Sequence, residues 1–113
     1  MRYSKVTLLI VLTLLLVIPE YLRAEEYRVT MKNWEFAPKA LTINTGDSVL
    51  WVNDDDSHHK IIFEDPSLKS SENIKPEQKY LVTFDKSGEY KYNCKYHHEY
   101  GMYGTIIVNT VNR

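Results

Sequence analysis

Cysteine is nearly absent from this chain of 113 residues: Cys94 is the only one. No disulfide can form within the chain, although small exported domains usually depend on paired cysteines as staples. A single thiol in such a protein pairs between chains, reacts or binds a metal. Positive charge is not in excess, so the basic surface that nucleic-acid binding leans on is missing. The apolar run Val6–Ile18 falls short of the roughly 20 residues of a membrane-spanning helix. No cysteine lies directly behind that run to accept a lipid. Past Ala24 there is no convincing helical periodicity, internal repeat, low-complexity tract or linker.

What is present begins with the pattern of a leader. Arg2 and Lys5 precede the uncharged run, Pro19 and Glu20 end it, and Ala24 offers a small residue for cleavage. That order predicts a signal peptide over 1–24, and therefore a periplasmic or otherwise exported protein. The competing reading is an uncleaved anchor. Residues 25–113 then form one domain of 89 residues, enough for a single core. They carry 11 Lys and Arg against 14 Asp and Glu, a mild acidity that suits solubility and a basic partner.

Short period-two runs follow one another along this domain. Tyr27–Met31, Ala40–Asn44, Ser48–Asn53, Lys60–Phe63, Lys79–Phe84, Glu89–Cys94 and Gly104–Asn109 read as strands, divided by turn-forming or polar segments such as Thr45–Asp47 and Lys86–Gly88. Glu64–Glu77 reads as a long polar connection. β-branched and aromatic runs of this kind predict an all-β antiparallel sandwich or barrel, and seven to eight strands suit a Greek-key sandwich.

The chemistry concentrates in Cys94-Lys95-Tyr96-His97-His98-Glu99-Tyr100-Gly101-Met102. A thiol, two imidazoles and a thioether fall within nine residues between two expected strands. A loop can turn several side chains toward one point, whereas a strand sends alternate ones to opposite faces. Thiolate and thioether select copper, and two His with one Cys and a weak axial Met describe a blue-copper site. The cluster supplies Cys94, one histidine and Met102; the second histidine must be His58 or His59. Taken singly, each residue has an ordinary explanation: Met102 as core filler, Cys94 as a small hydrophobe, a loop histidine as merely solvated. Together they must explain why every histidine lies beside the only cysteine or in one other loop. Zinc is the strongest rival, but a structural zinc site wants a fourth strong ligand, and Met is a poor one.

These segments resemble the cupredoxin family, and within it the small plastocyanin, pseudoazurin and amicyanin group. The resemblance rests on Phe36-Ala37-Pro38, Leu41-Thr42-Ile43, Gly46–Asn53, His59–Phe63, Gly88–Cys94, and the C-x2-H-x4-M spacing of Cys94, His97 and Met102. It implies a cupredoxin-like sandwich binding one type 1 copper ion through His59, Cys94, His97 and Met102. It makes His59 the ligand by register, eight residues after Trp51 and four before Phe63, with His58 and His98 facing solvent. It further implies a monomeric carrier, not an enzyme, passing single electrons to a redox partner such as a c-type cytochrome, an amine dehydrogenase or a reductase. His97 would be the electron port, within a patch to which Tyr96, Tyr100 and Tyr103 contribute. Copper delivery or storage is the alternative. An enzyme needs an open coordination position, which four ligands leave no room for.

Four departures from the family pattern stand out. Lys60 replaces an asparagine that often ties the two ligand loops. Tyr96 replaces a loop proline. Asn93 stands where plastocyanins carry an exposed tyrosine, which points away from the photosynthetic role. Asp54–Asp56 is an acidic run, read as a solvated turn ahead of the competing reading, a docking patch for a basic cytochrome.

Overall fold

The computed structural model describes residue 19 and residues 23–111. The expected signal peptide, residues 1–24, lies almost wholly outside them. Eight strands form two four-stranded sheets: β1 (Glu26–Lys32), β2 (Glu35–Ala37), β3 (Ala40–Asn44), β4 (Ser48–Asn53), β5 (Ile61–Phe63), β6 (Lys79–Thr83), β7 (Gly88–Cys94) and β8 (Tyr103–Asn109). One sheet has the order β2-β1-β4-β6 and the other β3-β8-β7-β5. The all-β sandwich expected from the strand count is the fold observed.

The sheets are mixed rather than purely antiparallel. β1 runs parallel to β4, and β3 runs parallel to β8. The chain leaves the first sheet after β2, contributes β3 to the second, and returns as β4 alongside β1. Period-two alternation reports only that one face of a strand is buried. It cannot separate parallel from antiparallel neighbours in a half-exposed sheet.

The alternating faces meet in one core. Val29 and Met31 of β1, Val49 and Trp51 of β4, Ile61 and Phe63 of β5, and Ile106 and Val108 of β8 are all buried. Trp51 packs edge-on against Phe63 and Tyr92, with ring centroids 5.7 and 5.3 Å apart. Tyr92 faces Gly104 across the β7–β8 ladder. A Cβ on Gly104 would run into the Tyr92 ring, so this position requires glycine. Burial pushes the Tyr92 phenol up to about 12.

Two features escape the sequence reading. β2 is only three residues long and sits at a sheet edge. It follows a two-residue turn in which Asn33 and Trp34 both have positive φ, 54° and 56°. Asparagine tolerates that geometry, whereas a bulky residue there is an outlier. The connection between β5 and β6 is not wholly external: Ser71 and Ile74 are buried, and Ile74 forms an isolated bridge with His59.

Candidate metal centre

Three segments converge at one end of the sandwich. β7 ends on Cys94, whose alternation with Tyr90 and Tyr92 turns it inward. The ladder pairs Cys94 with Ile61, two residues after His59. Beyond Cys94 the chain makes a tight loop. The N–H of His97 donates to the Cys94 carbonyl, a 3-10 turn follows over His98–Tyr100, and the N–H of Cys94 donates to the Met102 carbonyl (3.1 Å). Gly101 closes the turn in the left-handed region at φ 85°, where a side chain would be strained.

This arrangement brings His59, Cys94 and His97 together. Cys94 Sγ lies 3.6 Å from Nδ1 of His59 and 3.6 Å from Nδ1 of His97. The three donor atoms all fall within 4.8 Å of one another. His59, Cys94 and Met102 are fully buried, and His97 is 9% exposed. Met102 is tied to the same loop by its own N–H, which donates to the His97 carbonyl (3.3 Å). His58 is exposed and His98 half-buried.

The electrostatics favour a thiolate. Burial by itself would raise the Cys94 thiol. The contact with His59 and the main-chain N–H groups of Lys60, Tyr96 and His97 outweigh it and hold the thiol below its ordinary value. Burial likewise opposes a charged His59, but Cys94 and Asp55 on either side of the ring raise it. His97 is lowered, first by burial and then by the charge of His59.

Asp55 is the residue that sequence reasoning missed. It is not a solvated turn residue: its side chain is 9% exposed, and its Oδ2 lies 2.8 Å from Nε2 of His59. The same carboxylate accepts the main-chain N–H groups of Asn33 (2.7 Å) and Trp34 (3.2 Å). Asn53 shapes the loop around it: the Asn53 amide donates to the carbonyls of Ser57 and Ile74, both at 2.8 Å, and accepts the N–H of Asp55 at 2.9 Å. Of the neighbouring acids, Asp54 pairs with Lys32 at the surface (3.6 Å) and Asp56 is exposed. A run of three aspartates carries no periodic signal that would single out the middle one. Although Lys60 replaces the asparagine that often ties the ligand loops, main chain links them here: the N–H of Lys95 donates to the carbonyl of Lys60 at 2.9 Å.

His97 also differs from expectation. The imidazole is stacked under the indole of Trp34, with centroids 4.1 Å apart and planes at 22°. Trp34 is 42% exposed, and Tyr96, Tyr100 and Tyr103 are exposed as well. The aromatic patch is therefore present, but it is Trp34 that covers the histidine.

The donor set suits one metal. Donors roughly 2.0–2.3 Å from a shared ion and spread in a trigonal plane stand about 3.7 Å apart, close to the spacing of the sulfur from each nitrogen. Two imidazoles, a thiol biased toward thiolate and a buried methionine in the same loop fit a single type 1 copper ion.

Known proteins share this sequence pattern and fold. Residues 5–108 match the Cupredoxin-like domain. Chloroplastic plastocyanin from Tetradesmus obliquus is 35% identical over 83 residues, covering 65% of this chain; the chain thus spans only 57% of that relative's length. Plastocyanin from Nostoc punctiforme is 33% identical, with 88% of this chain and 90% of that protein covered. Among solved structures, a variant of amicyanin in the Cu(I) state superimposes with a TM-score of 0.69 at 26% identity, over 74% of this chain and 82% of that one. A match spanning both segments that meet at Cys94 leaves one conclusion: the chain belongs to the cupredoxin-like family.

Proposed function

We propose that this protein is an exported blue-copper electron carrier, with residues 1–24 as signal peptide and 25–113 as the cupredoxin domain. His59, Cys94, His97 and Met102 would hold the ion, the Met102 thioether as the weakest donor. The convergence of two imidazoles on one buried, thiolate-biased cysteine carries the reading. Plastocyanin- and amicyanin-like cupredoxins are electron carriers rather than enzymes. No helix among the described residues is long and apolar enough to cross a membrane.

Copper bound here supplies the chemistry, taking up and giving back one electron as it alternates between Cu(II) and Cu(I). The chain's own residues make that exchange easy. Asp55 accepts from Nε2 of His59, which leaves the Nδ1 lone pair free to bind metal. Cys94 is fixed by its ladder pairing with Ile61 and by the Met102 carbonyl. Burial excludes water and closes the site to a substrate. Ligands held this firmly have little to rearrange when the charge changes. Such a site suits electron exchange with a partner protein through a small, short-lived contact. A c-type cytochrome, an amine dehydrogenase or a reductase is the kind of partner that fits.

Addition of Cu(II) to the purified protein tests the reading. An intense visible absorption band is expected, and Cys94→Ser should abolish it. A colourless complex, or a colour that survives the substitution, would remove the assignment. Copper kept through repeated oxidation and reduction separates a carrier from a delivery or storage protein.

A further inference from the structure

The Asn33-Trp34 turn sets a costly residue in an unusual place. A two-residue hairpin turn with positive φ at both positions ordinarily takes Asn-Gly or Asp-Gly. Here the second position is tryptophan, at φ 56°. A bulky residue in that region is strained and persists only where its surroundings over-determine it. They do so: the Trp34 N–H donates to Asp55 Oδ2 (3.2 Å) and its Nε1 donates to Ser57 Oγ (3.2 Å). Its ring lies flat on His97 on one side and meets Tyr100 at 5.3 Å. Asp55, which holds the Trp34 main chain, also holds His59. The strained main chain of Trp34 is thus held by the carboxylate that contacts one imidazole, while Ser57 holds its indole against the other.

Exposure decides what a partner would meet. His97 is 9% exposed, whereas the indole over it is 42% exposed. Building on the copper reading above, we propose that Trp34 is the outermost conjugated group of the electron path, so that a redox partner docks against the indole rather than the His97 ring. In each transfer one electron leaves the reduced protein and enters the oxidised centre of a one-electron partner. The indole supplies orbital overlap, is neither oxidised nor reduced overall, and no proton moves. The stacked contact keeps the coupling strong across the added layer, because the π faces of the two rings overlap.

Electron self-exchange between the Cu(I) and Cu(II) forms, read from NMR line broadening in mixtures, tests this without any other protein. Trp34→Gly removes the ring and relieves the backbone, so it should fold. Trp34→Phe keeps a ring to stack. The visible band should persist in both variants, showing that the ligands remain in place. The Gly variant should exchange more slowly by roughly tenfold, about 1.4 kcal/mol in the barrier, while the Phe variant should stay within about threefold of the parent. Unchanged or faster exchange in a coloured Trp34→Gly protein would overturn the proposal and make the indole a lid. A parent protein that forms no visible band with Cu(II) would instead bring down the copper reading, and this inference with it.

Discussion

Asp55 and His59 are joined side chain to side chain at 2.8 Å, so that a nearly buried carboxylate stands behind a fully buried imidazole. The pair forms a carboxylate–histidine unit in which the far side of the imidazole would hold the proposed metal. Partners of this kind typically change metal affinity or activity by about 10–100-fold when removed. Asp55→Ala should therefore weaken copper binding by an amount in that range, measured by competition against a chelator. It also strips the acceptor from the N–H groups of Asn33 and Trp34. Unchanged affinity would mean that the loop main chain alone positions His59.

The same carboxylate predicts an acid limb of stability in the copper-free protein. Burial would raise Asp55, but the N–H groups of Asn33 and Trp34 together with His59 pull it below its ordinary 3.8. A carboxyl group lower in the folded than in the unfolded state stabilises fully above the unfolded value. That stability is lost as pH falls through the folded value. His59 is raised above its ordinary 6.5, so in this acid range it is protonated in both states and adds no slope. Urea midpoints measured from about pH 5 to about pH 2 should fall less steeply for Asp55→Asn than for the parent. Parallel curves would count against Asp55.

Gly104 is predicted to resist even the smallest side chain. Its missing Cβ leaves the room that the buried Tyr92 ring occupies. Overpacking of this sort costs about 1–3 kcal/mol, which Gly104→Ala should show as a lowered urea midpoint. Gly104 also lies two residues from Met102, so the visible band of the copper form should shift as the strand gives way. A variant as stable as the parent would mean that Tyr92 has somewhere to move.

Lys60 should be dispensable as a side chain. The link it makes to the second ligand loop runs from the Lys95 N–H to the Lys60 carbonyl. Lys60→Ala keeps that bond, and surface changes of this kind usually stay within about 0.5 kcal/mol. Its visible spectrum and melting temperature should match the parent. A large loss of copper affinity would show that the lysine side chain has a role the main-chain bond does not explain.

Much of this protein is legible in its sequence. Ala40–Asn44 and Ser48–Asn53 emerge with the bounds read from alternation, because one buried face leaves a period of two in the sequence. The loop from Cys94 to Met102 was legible because its chemistry is local: four donor side chains crowd into nine residues. β2 was not, since three residues at an edge hold too little periodicity.

What the sequence determined by itself was the class of fold and the types of ligand, both of which depend on near neighbours along the chain. Tertiary structure decided what depends on segments meeting from far apart. It set His59 inside and His58 outside, because the bridge to Ile74 and the ladder from Ile61 to Cys94 turn one imidazole inward. It chose Asp55 from among three aspartates, because only its carboxylate meets the Asn33-Trp34 turn and the His59 ring together. It laid Trp34 on His97 across 63 positions of sequence, a contact made by the way the β1–β2 turn folds over the end of the sandwich. No pattern of residue types encodes such a meeting, since only the packed chain brings the two rings face to face.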